Sequence, residues 1–303
     1  MHVLLVGTAA GGGFPQWNCW CQCCRAARSD PESAWPRTQS SVAISSDGCR
    51  WFLLNASPDV REQLTRLPSD GAPSTVRHVP IEGVLLTDAE IDHSLGIVLL
   101  REARHLPLYA TGAVHSILDD DSRILPVARA FADVPCTELP LDTPIELLYR
   151  DGTPCGLRVE AFAVSAGPPQ FALAAGVGHT VGLLVEESVS GRACAFVPGC
   201  AELTPPLLAR LARADILLFD GTFWHDDELV ALGISTRTAR ELDHLPIAGE
   251  GGSLEQLAAL PCRHRVYTHI NNTNPILLER SPERAAVVAA GLTVGYDGLH
   301  LAL

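Results

Sequence analysis

Basic residues are scarce in this 303-residue chain, with 22 Arg and Lys against 35 acids and a formal charge of −13. They form no run. Gripping a phosphate backbone needs a concentrated basic face, so a nucleic-acid surface is excluded. Also missing is any window of about 18 apolar residues free of charges and turn formers, and with it a predicted membrane span. The opening MHVLLVGTAAGGG carries no positive segment ahead of its apolar run. It reads as a first strand entering a glycine loop, not as a secretion signal. No repeat or low-complexity tract divides the chain, and the turn-rich stretches 67–80 and 164–178 are too short to be linkers. The expectation is one cytoplasmic domain over residues 1–303, with a homodimer as the assembly to test for.

Apolar residues, by contrast, make up 47% of the chain, enough for a large core. Short β-branched runs bounded by turn signals predict strands: HVLLVG, SSVAIS, WFLLNA, GVLLTD, LPLYAT, LRVEAFAV, TVGLLVEE, ACAFVPG, ILLFDGT, RVYTHI, LTVGYDG and LHLAL. Helix-like segments lie between some of them, three opening on an N-cap followed by proline (Ser57-Pro58, Thr204-Pro205, Ser281-Pro282). Asp297-Gly298 predicts a hairpin. Strands interleaved with helices suggest two sheets with helices on their outer faces.

Ten cysteines are present, and Cys19, Cys21, Cys23 and Cys24 crowd into six residues. In a reducing compartment such a cluster points to metal before disulfide, and soft thiolates suit tetrahedral Zn²⁺. Cys19, Cys21 and Cys24 are the predicted ligands, with the fourth drawn from Cys23 or a distant histidine. The competing reading is a knot of buried thiols, which is also how the six scattered cysteines read. A second constellation follows the strand Val84–Leu86, where Asp88, Glu90, Asp92 and His93 leave the strand end together. Extended alternation would put the three acids on one side, where they repel without a cation. A solvated acidic loop capping the next helix is the alternative. Asp220, His244 and His269 stand singly at strand ends, where a packed structural role competes with a functional one. The glycine loop lacks any phosphate-binding spacing and is expected to turn tightly beside a cleft. Arg37, Thr38, Gln39 and Ser40 are candidate contacts for a substrate carboxylate, with Arg237 and Arg240 as further cations.

These residues carry a resemblance. TDAEIDH resembles the metallo-β-lactamase motif, Asp88 and Glu90 standing where its two leading histidines belong while Asp92 and His93 match. GGGFPQWNC, NASPDVREQL, FDGTFW, STRTARELDHLP and HINNTNPI resemble the coenzyme PQQ (pyrroloquinoline quinone) biosynthesis protein B family, from Val3 to the C-terminus. The resemblance implies an αβ/βα four-layer sandwich of two mixed sheets flanked by helices. It also implies structural Zn²⁺ on Cys19, Cys21 and Cys24, with His269 either its fourth ligand or an active-site ligand. The implied role is PQQ synthesis from a peptide-derived Glu–Tyr unit. Carboxylates in place of histidines favour oxygen-loving Fe²⁺ over two zinc ions. The expectation is an Fe²⁺- and O₂-dependent hydroxylase of the tyrosine ring. Its active-site metal would sit on Asp88, Glu90, Asp92 and His93, with His244 as acid/base and Asp220 as a further ligand or proton acceptor. A hydrolase and a non-catalytic carrier of PQQ or its precursor are the alternatives.

Overall fold

Those apolar runs become strands in a computed structural model that describes residues 1–30, 32–68, 76–173 and 176–303. Parts of both turn-rich stretches, 69–75 and 174–175, lie outside the described residues. The strands in chain order are β1 His2–Gly7, β2 Ser41–Ser45, β3 Trp51–Leu54, β4 Ile81–Leu85, β5 Leu108–Ala110, β6 Cys136–Glu138, β7 Ile145–Leu148, β8 Pro154–Ala163, β9 Val181–Glu187, β10 Ala193–Val197, β11 Ile216–Asp220, β12 His264–Thr268, β13 Thr293–Val294 and β14 His300–Ala302. They form two 7-stranded sheets, β14-β1-β2-β3-β4-β5-β6 and β13-β12-β11-β10-β9-β8-β7. Each is mixed: β3 to β6 and β10 to β13 run parallel, the remainder antiparallel.

Strand periodicity explains the layering. In β11, Ile216 and Leu218 face the other sheet, packing in one cluster with Val3, Leu5, Phe52 and Leu54. Their neighbours Leu217 and Phe219 face outward to Leu211 of helix Pro205–Leu211 and Val287 of helix Pro282–Ala289. Leu53 and Val84 of the first sheet likewise pack outward on Val60, Ile97 and Val114 from helical segments. Strands buried on both faces therefore read as continuous apolar runs. Each fully buried Leu, Ile or Phe contributes roughly 1.5–3 kcal/mol. The result is helices, sheet, sheet, helices, as the resemblance implied.

Three local expectations are corrected. Asp297-Gly298 does not close a hairpin, because β13 pairs with β12 and β14 with β1, in different sheets. The Asp297 carboxylate instead accepts from Thr8 Oγ1 and from Thr38 N and Oγ1, pinning the crossing between sheets. Thr204 and Ser281 cap their helices as expected, but Ser57 does not; Asp59 precedes helix Val60–Leu64, and Ser57 Oγ accepts from Asp59 N. Residues Ile91–Ser94 form a helical turn, so Asp88, Glu90 and Asp92 do not share one side of an extended chain. No helix among the described residues is long and apolar enough to cross a membrane.

Candidate active site and cysteine loop

Loops at the carboxyl ends of the parallel strands β4, β11 and β12 gather the functional side chains. Leu86–Ser94 follows β4, Gly221–Trp224 follows β11, and His269–Asn274 follows β12. They border a cleft of about 350 Å³ lined by Glu90, Asp92, His93, Phe223, His244 and His269 among others. The volume suits a small-molecule ligand. The glycine loop reaches the same cleft as expected. A Cβ on Gly11 would come within 3.3 Å of Asp92 Oδ2 and would press on that carboxylate.

Three imidazoles are fixed by one device. His93 Nδ1 donates to both Asp88 oxygens at 2.8 Å. His244 Nδ1 donates to Asp220 Oδ2 at 2.7 Å. His269 Nδ1 lies 2.8 Å from Thr222 Oγ1, which itself donates to Asp220 Oδ1 at 2.5 Å. A carboxylate or hydroxyl on Nδ1 sets the tautomer and leaves Nε2 as a lone-pair donor, the arrangement that outer-shell groups give metal-ligating histidines. His93 Nε2 is buried without a hydrogen-bond partner. His269 Nε2 lies 3.3 Å from Asp92 Oδ2. Ligand atoms of Asp92, His93 and His269 fall within 4.8 Å of one another, as do those of Asp220, His244 and His269. An orphaned buried nitrogen beside a second imidazole and a carboxylate fits a divalent cation on Asp92, His93 and His269.

The charges agree. Burial opposes ionisation of Asp92, but His93 and His269 hold it well below the usual carboxylate range. Burial also opposes the charge on His93, yet Asp88 and Asp92 outweigh it and lift its pKa to about 9. A cation would replace that proton. Burial, then repulsion from Asp88 and Asp92, pushes Glu90 up to about 7. Burial opposes protonation of His244, and Asp220 raises its pKa nonetheless.

Several predicted roles change. Asp88 lies outside both close groups: its oxygens are engaged by His93, Thr87 Oγ1 at 2.7 Å and Glu90 N at 2.9 Å, an arrangement that orients the His93 ring. Glu90 lines the cleft but lies outside both close groups. Asp220 is fully buried and accepts from His244, Thr222 and Cys200 N, so it too orients, although its oxygen also belongs to the second close group. Arg37, Thr38, Gln39 and Ser40 do not border the cleft. Arg37 is buried and donates to Gly295 O, Thr38 binds Asp297, Gln39 binds Asp59, and Ser40 is fully buried. The guanidinium at the cleft wall is Arg237. Reading the sequence missed Asn55 and Thr87, which extend the Asp88–His93 chain: Asn55 Nδ2 donates to Thr87 Oγ1 at 2.9 Å. The one signal for Asn55 was its place at a strand end, where it holds a φ of +60°.

The cysteine loop is a separate site. Sγ atoms of Cys19, Cys21 and Cys24 lie within 4.8 Å of one another. Tetrahedral zinc at about 2.3 Å from each sulfur would need little adjustment. Cys21 caps helix Gln22–Ser29, accepting from Cys24 N at 3.4 Å. A hydrogen bond from Cys23 first, then backbone donation from Cys24, lowers its pKa to about 5 against the effect of burial. Cys23 lies outside this close group, its sulfur within reach of the carbonyls of Thr273 and Asn274 at 3.5 and 3.6 Å. His269 does not complete this site, because its ring stacks on His244 (centroids 5.5 Å apart) in the cleft. Asn272 is the polar neighbour instead, Nδ2 donating to Cys24 Sγ at 3.3 Å.

Residues 50–270 match the model of the Beta-lactamase superfamily domain. The coenzyme PQQ synthesis protein B of Methylobacterium radiotolerans is 44% identical over 309 residues, covering 100% of both chains. That of Gluconacetobacter diazotrophicus is 42% identical, covering 99% of each. The crystal structure of Zn²⁺-bound PqqB from Methylobacterium extorquens superposes with a TM-score of 0.89 at 42% identity and full coverage of both chains. A diphosphatase of the PhnP family, at TM-score 0.69 and 20% identity over 100% of this chain and 97% of that one, shares the fold alone. With its two mixed sheets, the matched domain and relatives of this identity along the whole chain, the protein belongs to the coenzyme PQQ synthesis protein B family of the β-lactamase superfamily.

Proposed function

We propose that this protein acts in PQQ biosynthesis as an Fe²⁺- and O₂-dependent hydroxylase of the tyrosine ring in a peptide-derived Glu–Tyr precursor. The donor set supports the reading most: two imidazoles and one carboxylate, His93, His269 and Asp92, each imidazole locked through Nδ1. Such a set leaves open positions on non-haem Fe(II), and a bound Fe(II) would supply the activation of O₂ there. The chain's own residues do the rest. His244, held and made more basic by Asp220, takes the phenol proton on Nε2. Phe223, whose ring meets His244 edge-on at 5.8 Å, gives the aromatic substrate a wall. Arg237 meets a precursor carboxylate, the role first expected of Arg37. In the balanced reaction one oxygen atom enters a ring C–H bond. The other leaves as water, with two electrons from an external reductant. Zn²⁺ belongs on Cys19, Cys21 and Cys24 as scaffold.

The test is metal content and O₂ uptake of anaerobically purified protein given Fe²⁺ and a Glu–Tyr compound. One zinc, one iron and substrate-dependent uptake with one oxygen gained by the product are expected. The trio Asp220, His244 and His269 shares His269 with the first and is what a two-ion hydrolase would use. Two cleft ions and no O₂ uptake would replace the oxygenase with that reading. PQQ binding that survives His93→Ala, again without uptake, would replace it with a carrier.

A further inference from the structure

The cysteine loop and the cleft meet on one segment, His269–Asn274. Its first residue is the candidate metal ligand, held at a φ of +54°, in the left-handed region that disfavours side chains. Its distal residues are where the thiols converge. Asn272 Nδ2 donates to Cys24 Sγ at 3.3 Å, Cys21 Sγ lies 3.4 Å from Asn272 O, and Cys23 Sγ reaches Thr273 O at 3.5 Å. The middle is strapped to the strand-end loops: Ala10 N donates to Ile270 O at 2.9 Å and Asn271 N to Thr222 O at 3.1 Å. Asn271 borders both the cleft and the groove beside the cysteines. A left-handed histidine does not hold that conformation unaided; the surrounding contacts must impose it.

We infer that the cysteine loop is a positioning device for the cleft, acting through Asn272 to hold the His269–Asn274 segment so that His269 Nε2 faces Asp92 and His93. Zinc on the thiols fixes the sulfur positions, the sulfurs fix Asn272, and the backbone between Asn272 and His269 carries that constraint to the imidazole. Asn272 is a positioning residue and touches no reacting atom. The inference rests on the cleft's metal set being Asp92, His93 and His269, and not on the reaction performed there.

Co²⁺ serves as the probe, titrated into zinc-loaded protein whose cleft has been emptied. It is followed by its visible d–d bands, since cobalt on nitrogen and oxygen lacks the charge-transfer band of cobalt on thiolate. Asn272→Ala and Cys21→Ser are each expected to weaken Co²⁺ binding in the cleft 10–100-fold, the range for outer-shell changes at metal sites. The d–d bands should shift as well. Val287→Ala, in a buried helix position away from the cleft, provides the control for lost stability and should leave affinity and bands unchanged. Parental affinity and bands in both loop variants would overturn the inference while leaving the cleft assignment standing. Absence of Co²⁺ from the cleft of the unsubstituted protein would overturn both.

Discussion

At the scale of single residues, the site is built from pairs in which one partner touches the cleft and the other fixes it. Asp88 beside His93 is the clearest pair. Asp88→Asn keeps the shape but removes the charge and one acceptor, and should weaken metal binding in the cleft about 10–100-fold with little loss of stability. Isothermal titration with Fe²⁺ or Co²⁺, beside a thermal melt, measures both. Arg37 and Arg237 separate a buried structural cation from a cleft cation. Arg37→Met should cost roughly 1–3 kcal/mol through its lost bond to Gly295 O and leave KM unchanged. Arg237→Met should raise KM and leave stability unchanged. The reverse pattern would restore the role first expected of Arg37. The sequence showed the residue types of this site without their division of labour. Asp88 and Asp92 look alike in TDAEIDH, and only the helical turn Ile91–Ser94 reveals that one faces His93 Nδ1 and the other faces His269. His269 was ambiguous for a related reason: nothing in HINNTNP tells which residue of the segment meets the thiols.

At the scale of elements, long apolar strands were legible, as were the edge strands in LTVGYDG and LHLAL, but two other edge strands were not. ILLFD and VGLLVEE announce themselves because burial on both faces leaves no room for polar residues. Cys136–Glu138 and Ile145–Leu148 lie at sheet edges, half exposed, and carry no such pattern. Helix Gln22–Ser29 went unread because its cysteines suggested a loop, whereas its start is set by the cap that Cys21 provides. The hairpin expected at Asp297-Gly298 failed because a turn signal gives the bend and not the partner strand. The central strands carry the stability. Leu218, fully buried between the sheets, should cost about 2–5 kcal/mol on truncation to Ala, read from urea unfolding. A loss below 1 kcal/mol would mean that the sheet interface tolerates a void that its packing denies.

At the scale of the whole molecule, pH acts in part through Glu228, a partly covered acid held by the loop that carries Thr273. Burial pushes Glu228 up from 4.5 to about 7, more than its bond from Thr273 Oγ1 can offset. The folded protein therefore keeps a proton that the unfolded chain has released between pH 4.5 and 7. Stability falls as pH rises through that window and levels off above it. Glu90, raised to about 7 as well, adds to the same slope, so Glu228→Gln should reduce it when urea midpoints are compared at pH 5 and pH 8; an unaltered slope would place the titration elsewhere. The four-layer order, like the central strands, was open to reading, since it follows from which runs must be covered on both faces. The cleft's depth was not, because it depends on how far one sheet's loops stand from the other's. Asp92 and His269 meet across 177 positions of sequence, one supplied by each sheet. So non-local a contact is expected to form late, after the sheets have docked. A cation in the cleft would therefore act on sheets that have already docked. During refolding, capture of Co²⁺ by the cleft should lag the recovery of far-ultraviolet ellipticity, and a chain still emerging from the ribosome has no cleft in which to seat the ion.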